Sequence, residues 1–128
     1  MTTKRFAFTI LNPKKWWCNG YGEPFVYDIP IALQKEKKTQ DEKKVTIGLR
    51  DIKLIRTPDQ WGETFYFTLN GKPIYAKGAN VIPPHSFLTE SNTTTYERLV
   101  DQAVNANMNM LRVWGGGVYF DDAFYEAC

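Results

Sequence analysis

The sequence predicts the late strands of an antiparallel β-sandwich over residues 1–56, followed over residues 57–128 by the first strand–helix–strand of a parallel α/β layer, the kind of unit from which a (β/α)8 barrel is built. Three observations carry this. Apolar side chains alternate with period two through the first part, as half-buried strands require. Asn70-Gly71 sits between two apolar runs, the strongest short hairpin signal because both turn positions need positive φ. After residue 76 the period switches to that of a helix and back, the pattern of a parallel layer with helical crossovers.

Taken in order, Phe6, Phe8 and Ile10 alternate up to Asn12-Pro13 and read as a strand. Phe25, Tyr27, Ile29, Ile31 and Leu33 form a second, and Pro30 within it implies an edge or a bulge, since proline donates nothing to a ladder. The charged run from Gln34 to Lys44 reads as a solvated hairpin loop. Val45, Ile47 and Leu49 lead into Ile52 and Leu54 with a phase slip that marks a bulge or bend. A whole sandwich needs about seven strands in ~100 residues, so this part is the end of one. Thr57 to Gly62 is a turn-rich break and the domain boundary. Phe65, Phe67 and Leu69 then pair through Asn70-Gly71 with Ile74 and Tyr75. Ala76 to Val81 is a short buried strand, and a long loop runs on to Asn92. Thr94 and Glu97 have capping-box spacing, and Tyr96, Leu99, Val100, Ala103 and Val104 share one helical face, which Asn107 ends. Met110 to Trp114 is a strand, Gly115 to Gly117 a loop, and Asp121 and Asp122 begin another helix.

Composition narrows the function. The net charge is +2, and the basic run has acidic residues interspersed and no aromatics, unlike a nucleic-acid face. No apolar run nears the ~20 residues of a membrane span, and Lys4-Arg5 is followed by alternation instead of a leader's apolar block. Cys18 and Cys128 have neither metal nor disulfide-framework spacing, and one histidine without other ligands makes no zinc site. No cofactor or metal is expected, and neither nucleic acid nor membrane as partner.

Candidate chemistry concentrates in Asn109 to Gly117. If Leu111 and Val113 face the surrounding helices, Arg112 and Trp114 face the barrel mouth, where active sites of this fold lie. Such an arginine would need a carboxylate partner, and the indole beside glycines offers a flat face for a sugar ring. Equally, Arg112 could make a surface ion pair with Trp114 in the core. Asn80 ends the first barrel strand, as a hydroxyl-binding group or a turn residue, and His85 lies in the loop after it, either at the site or simply on the surface. Hydrolysis of a glycosidic bond needs two carboxylates. Glu23 and Glu63 fall in turns, Glu36 and Glu42 in the charged run, Glu97 at a cap, Glu126 in a terminal helix and Glu90 in the long loop, with no acid–base pair among them.

Lys77-Gly78-Ala79-Asn80, Ile82-Pro83, Asn70-Gly71-Lys72-Pro73 and Leu111-Arg112-Val113-Trp114-Gly115-Gly116-Gly117 resemble the start of the TIM barrel of β-mannosidases in glycoside hydrolase family 2. Trp16-Trp17-Cys18-Asn19-Gly20-Tyr21-Gly22-Glu23-Pro24 and Ile47-Gly48-Leu49-Arg50 resemble the immunoglobulin-like sandwich that precedes it. The resemblance implies retaining hydrolysis of terminal β-linked mannose, with both catalytic glutamates on later barrel strands. It implies that Arg112 supports the nucleophile carboxylate, that Trp114 lines the sugar subsite and that Asn80 shapes the pocket floor. Val81 stands where the family usually has Trp, His85 where Asp is more common, and Cys18 in place of a frequent Pro; the first two adjoin the pocket and bear on sugar preference. The expected partners are a β-mannoside oligosaccharide or glycoside and the remainder of the parent enzyme, and the chain alone is expected to be inactive. Competing readings are a non-catalytic sugar-binding module with Trp16, Trp17 and Trp61 as its platform, and a family member acting on β-linked glucosamine.

Overall fold

The computed structural model describes residues 5–128, so the Lys4 end of the leader reading lies outside it. The chain is mostly β-strand, with one parallel βαβ unit at the end of the sequence. No helix among the described residues is long and apolar enough to cross a membrane.

The first alternating run, Phe6 to Ile10, joins no ladder, and Phe6 and Phe8 are exposed. Alternation supplies a face, but a strand also needs a hydrogen-bonding neighbour, and none among the described residues lies beside these. β1 (Tyr27–Lys35) and β2 (Lys38–Ile47) form a two-stranded antiparallel sheet. The charged run is therefore mostly strand, not loop. Only Glu36 and Lys37 turn the chain, at φ 51° and 64°, the pair of positive values of a tight hairpin. Charged side chains suit β2 because most of its residues are exposed to solvent on both faces, and the register shift beside Leu33 and Gln34 relieves the ladder near the turn. β1 has an open edge, where Pro30 is tolerated. Ile31 and Leu33 are exposed as well, each directly opposite a charged residue, Lys43 and Asp41.

The phase slip after Leu49 is a change of sheet. β3 (Ile52–Ile55) leaves the hairpin and pairs with β6 (Tyr66–Leu69), which pairs in turn with β7 (Lys72–Ile74). Between β3 and β6 the two-residue strands β4 (Pro58–Asp59) and β5 (Gly62–Glu63) prolong the hairpin to a tip at Trp61. The β3–β6 ladder thus spans the Thr57–Gly62 break. Asn70 and Gly71 turn β6 into β7 at φ 52° and 84°, as their sequence demands. Leu69 is 1% exposed and packs with Ile74 and Cys18, flanked by Trp16, Trp17, Tyr21 and Phe67.

β8 (Gly78–Val81) and β9 (Met110–Val113) are parallel neighbours joined through α1 (Thr93–Asn105). Of β8 only Val81 is buried, fewer residues than its apolar sequence suggests, because the strand is covered on one face alone. The capping box is not the one expected. Asn92 is the N-cap, its Oδ1 accepting from Thr95 N at 3.1 Å, so Thr94 and Glu97 already lie within the helix. Asparagine caps at least as well as threonine and comes first in the chain. At the other end Asn107 takes φ 56°, and the N–H groups of Asn107 and Met108 return to the carbonyls of Val104 and Ala103, at 2.9 Å each. This is the left-handed closure in which asparagine substitutes for glycine. α2 (Asp122–Ala127) follows Asp121 and lays Phe124 against Tyr96 and Phe120. With Val81 these three aromatic rings form the second core, and Leu99, Val100, Leu111 and Val113 border it.

Candidate functional site

The two faces of β9 separate as alternation requires. Leu111 and Val113 turn to the helix side and join the core under α1 and α2. Arg112 is on the opposite face, exposed, directly across the ladder from Asn80. Its Nη1 donates to Asn80 Oδ1 at 2.9 Å. Among the described residues the side-chain partner of this arginine is a neutral amide oxygen. An exposed guanidinium stays hydrated and needs no neutralising charge. The pair holds the planar cation against the sheet, and its remaining N–H donors meet no acceptor among the described residues, so they can take an incoming oxygen.

These two residues border a shallow depression of about 370 Å³, whose other walls are Ala76, Gly78, Ala79 and Met110. Small residues on β8 leave the space open. Gly78 is forced for a second reason: a Cβ there would overlap the Met110 carbonyl oxygen and lie 2.8 Å from its carbonyl carbon. β8 and β9 approach too closely at this point for any side chain.

Trp114 follows β9, its N–H donating to Val81 O at 3.0 Å and so extending the parallel ladder by one bond. It is 45% exposed, and its indole lies against Gly116. Gly117 N–H closes the turn on Trp114 O at 3.2 Å, and a Cβ on Gly117 would stand 3.1 Å from Pro83 Cδ. The loops that leave β8 and β9 therefore meet beside the indole.

His85 is not gathered with the others. Its Nδ1 lies 3.0 Å from Phe87 N and 3.1 Å from Phe87 O, and its ring sits 5.9 Å from the Phe87 ring, so its contacts are local to the exposed loop after β8. The structure thus joins Asn80 to Arg112 and sets Trp114 at the end of the same strand.

Sequence reasoning missed Asn109, which organises the entry to β9. Its Oδ1 accepts from Lys77 N at 2.9 Å and its Nδ2 donates to Tyr75 O at 3.0 Å, so one amide side chain occupies two backbone groups ahead of β8. The only sequence signal was an asparagine just before a strand, which reads as a turn residue.

The tryptophans of the competing sugar platform are engaged elsewhere. Trp16 stacks under the Arg50 guanidinium at 4.7 Å and Trp17 under Lys72 at 5.2 Å, both half-buried against the first core. Trp61 is exposed alone at its hairpin tip. Burial raises the thiol pKa of Cys18 above its ordinary value, partly opposed by a backbone hydrogen bond, so this cysteine stays a neutral packing group.

The family model "Glycosyl hydrolases family 2" matches residues 1–50. The chain is 37% identical over 122 residues to a β-mannosidase B of Emericella nidulans, covering 95% of this chain and 14% of that protein. It is 38% identical over 122 residues to one from Aspergillus oryzae, again covering 95% and 14%. Among solved structures, a β-D-mannosidase from Dictyoglomus thermophilum superposes with a TM-score of 0.86 at 44% identity, over 94% of this chain and 15% of that one. An exo-chitosanase from Amycolatopsis orientalis gives 0.74 at 26% identity, over 88% and 12%. The chain spans about 14–15% of the length of the curated relatives it matches. On these similarities the chain belongs to family 2 of the glycosyl hydrolases.

Proposed function

We propose that the chain forms one wall of the sugar site of a retaining exo-β-mannosidase, that residues 1–56 end an immunoglobulin-like sandwich, and that residues 57–128 open a (β/α)8 barrel. The observation that carries this reading is the Asn80–Arg112 hydrogen bond on the face of β8–β9 away from the core, with Trp114 at the strand end. In a closed barrel that face is the lumen, and the ends of its strands are where catalytic groups gather. Retaining hydrolysis places two carboxyl groups about 5–5.5 Å apart, one as acid and one as nucleophile. Arg112 supplies donors that hold a carboxylate ionised and oriented. Trp114 supplies the apolar surface for the sugar, and Asn80 fixes the guanidinium. His85 borders the entrance through the loop it shares with Pro83. The glutamates that attack the anomeric carbon and protonate the leaving oxygen belong to later barrel strands, so the 128-residue chain alone turns over no glycoside.

The check is release of the aryl group from an aryl β-mannoside. The isolated chain should release none, and the intact enzyme should lose about 10- to 100-fold in kcat/KM on Arg112→Ala, the range for removing a charge-assisted hydrogen bond of ~1.5–3 kcal/mol. Turnover by the purified chain that disappears on mutating one of its own acidic residues would overturn the reading. A second reading, action on β-linked glucosamine, is favoured by the 27% identity to a solved exo-β-D-glucosaminidase. Comparing aryl β-mannoside with aryl β-glucosaminide in the intact enzyme decides between them, and the greater similarity to mannosidases predicts preference for the former.

A further inference from the structure

Glycine triplets are ordinarily explained by backbone freedom, and that explanation fails here. Among the described residues the glycines with positive φ are Gly20, Gly62 and Gly71; none of Gly115, Gly116 and Gly117 takes the left-handed φ that favours glycine. What distinguishes the three is what a side chain would meet. At Gly115 a Cβ would point into open space. At Gly117 it would press on Pro83. At Gly116 it would fall on the benzo ring of Trp114, overlapping Cη2 and Cζ2 and standing 2.6 Å from Cζ3.

We infer that Gly116 is a positioning residue for Trp114: its bare Cα is the seat on which the indole lies, and this seat sets the angle at which the ring is presented to a sugar. The stacking role rests on the mannosidase reading above; the seat itself does not. The indole has one face on the Gly116 backbone and is 45% exposed overall, so a ligand has access to the ring while the other side is braced. A methyl group at Gly116 cannot be absorbed by the backbone beneath it, because the obstacle is the indole, and the indole must swing away. The same methyl at Gly115 meets nothing. The triplet therefore contains one position that needs glycine for the ring, one that needs it for the neighbouring loop and one that does not need it for contact.

The experiment uses 5-fluorotryptophan in the 128-residue chain, with the Trp114 resonance assigned by its loss in Trp114→Phe. Gly116→Ala should shift the Trp114 fluorine signal and leave those of Trp16, Trp17 and Trp61 in place, and Gly115→Ala should shift none. A Trp114 signal indifferent to Gly116→Ala overturns the seat. Should Gly116→Ala fail to fold, the unmutated chain decides: the Gly116 Hα protons should be displaced upfield by the indole ring current and revert in Trp114→Leu, and ordinary Gly116 shifts in the unmutated chain overturn the proposal. The sugar part is read separately in the intact enzyme. Gly116→Ala should raise KM for an aryl β-mannoside about as much as Trp114→Leu does, with little further loss in the double variant. If Trp114→Leu leaves both KM and kcat unchanged, the stacking role is overturned while the ring-current result stands.

Discussion

Asn80 and Arg112 are 32 residues apart in sequence and face each other only because the parallel register sets Gly78 opposite Met110. That register depends on Gly78. Gly78→Ala puts a methyl group on the rigid Met110 carbonyl, so the expected loss is at or above the ~1–3 kcal/mol of ordinary overpacking. Amide exchange at Asn80 and Val113 should accelerate, and unchanged protection there would refute the close approach. In the β1–β2 hairpin Asp28 shows a titrating counterpart. Its carboxylate accepts from Thr46 Oγ1 at 2.8 Å and pairs with Lys44 Nζ at 2.8 Å, and hydrogen bonds from Lys44 and then Thr46 hold its pKa below the ordinary value. The folded pKa is the lower one, so this contribution is present above the unfolded Asp value and is lost as pH falls through the folded value. The β1–β2 hairpin should therefore loosen in acid, and Asp28→Asn should remove that part of the pH dependence, both followed through the Thr46 and Lys44 proton shifts.

Helix α1 separates the cap that the pattern suggested from the cap that the backbone uses. Asn92→Ala should cost about 1 kcal/mol of stability, whereas Thr94→Ala and Glu97→Ala should each cost far less; urea melts followed at 222 nm rank the three, and a larger loss at Thr94 would restore the expected box. In the same unit Phe124 is 2% exposed among Tyr96 and Phe120. Phe124→Ala should remove about 3–5 kcal/mol, enough to release α2 and most of α1, seen as lost helical ellipticity. The elements that local chemistry specifies were legible in the sequence: the Asn70-Gly71 hairpin, the face of α1 from Tyr96 to Ala103 (Val104, read on the same face, is exposed), and the Leu111/Val113 alternation that sets Arg112 apart. What could not be read depends on distant partners. Phe6 to Ile10 has the alternation of a strand and no neighbour, the charged run is strand because β1 lies beside it, and the slip after Leu49 is a change of sheet. At the site, strand phase revealed which residues share a face, but the Asn80–Arg112 pairing, the seat under Trp114 and the two hydrogen bonds of the Asn109 amide follow from register between strands, which one sequence does not display.

At the scale of the whole chain, the segment Trp16–Pro24 holds the sheet to the βαβ unit. Trp16 bridges to Pro24, and Cys18 sits in the core with Leu69 and Ile74. Asn70 Nδ2 donates to Trp16 O at 2.9 Å, tying the segment to the β6–β7 turn. Tyr21 Oη accepts from Tyr75 N at 3.2 Å, where the chain leaves that sheet. Asn19 reaches the other way, its Nδ2 donating to Met108 O at 3.0 Å and Val104 O at 3.5 Å, both at the closing turn of α1. The carbonyls of a helix C-terminus carry partial negative charge and welcome a donor. Asn19→Asp exchanges that donor for an anion facing them. Loss of an exposed hydrogen bond is worth about 0.5–1.5 kcal/mol, and the reversed interaction with the helix dipole adds about 0.3–1 kcal/mol at low salt. The penalty should shrink as salt is added, whereas that of Asn19→Ala should not, because only the charged variant is screened. The decisive measurement is where the damage appears. If the segment couples the sheet to the βαβ unit, Asn19→Asp speeds amide exchange at Met108 and Met110 as well as around Asn19, and Arg112, two residues further along β9, loses some of its order against Asn80. Exchange confined to residues 16–24, with β9 as protected as before, would show that the contact is only local and that the two are held together elsewhere.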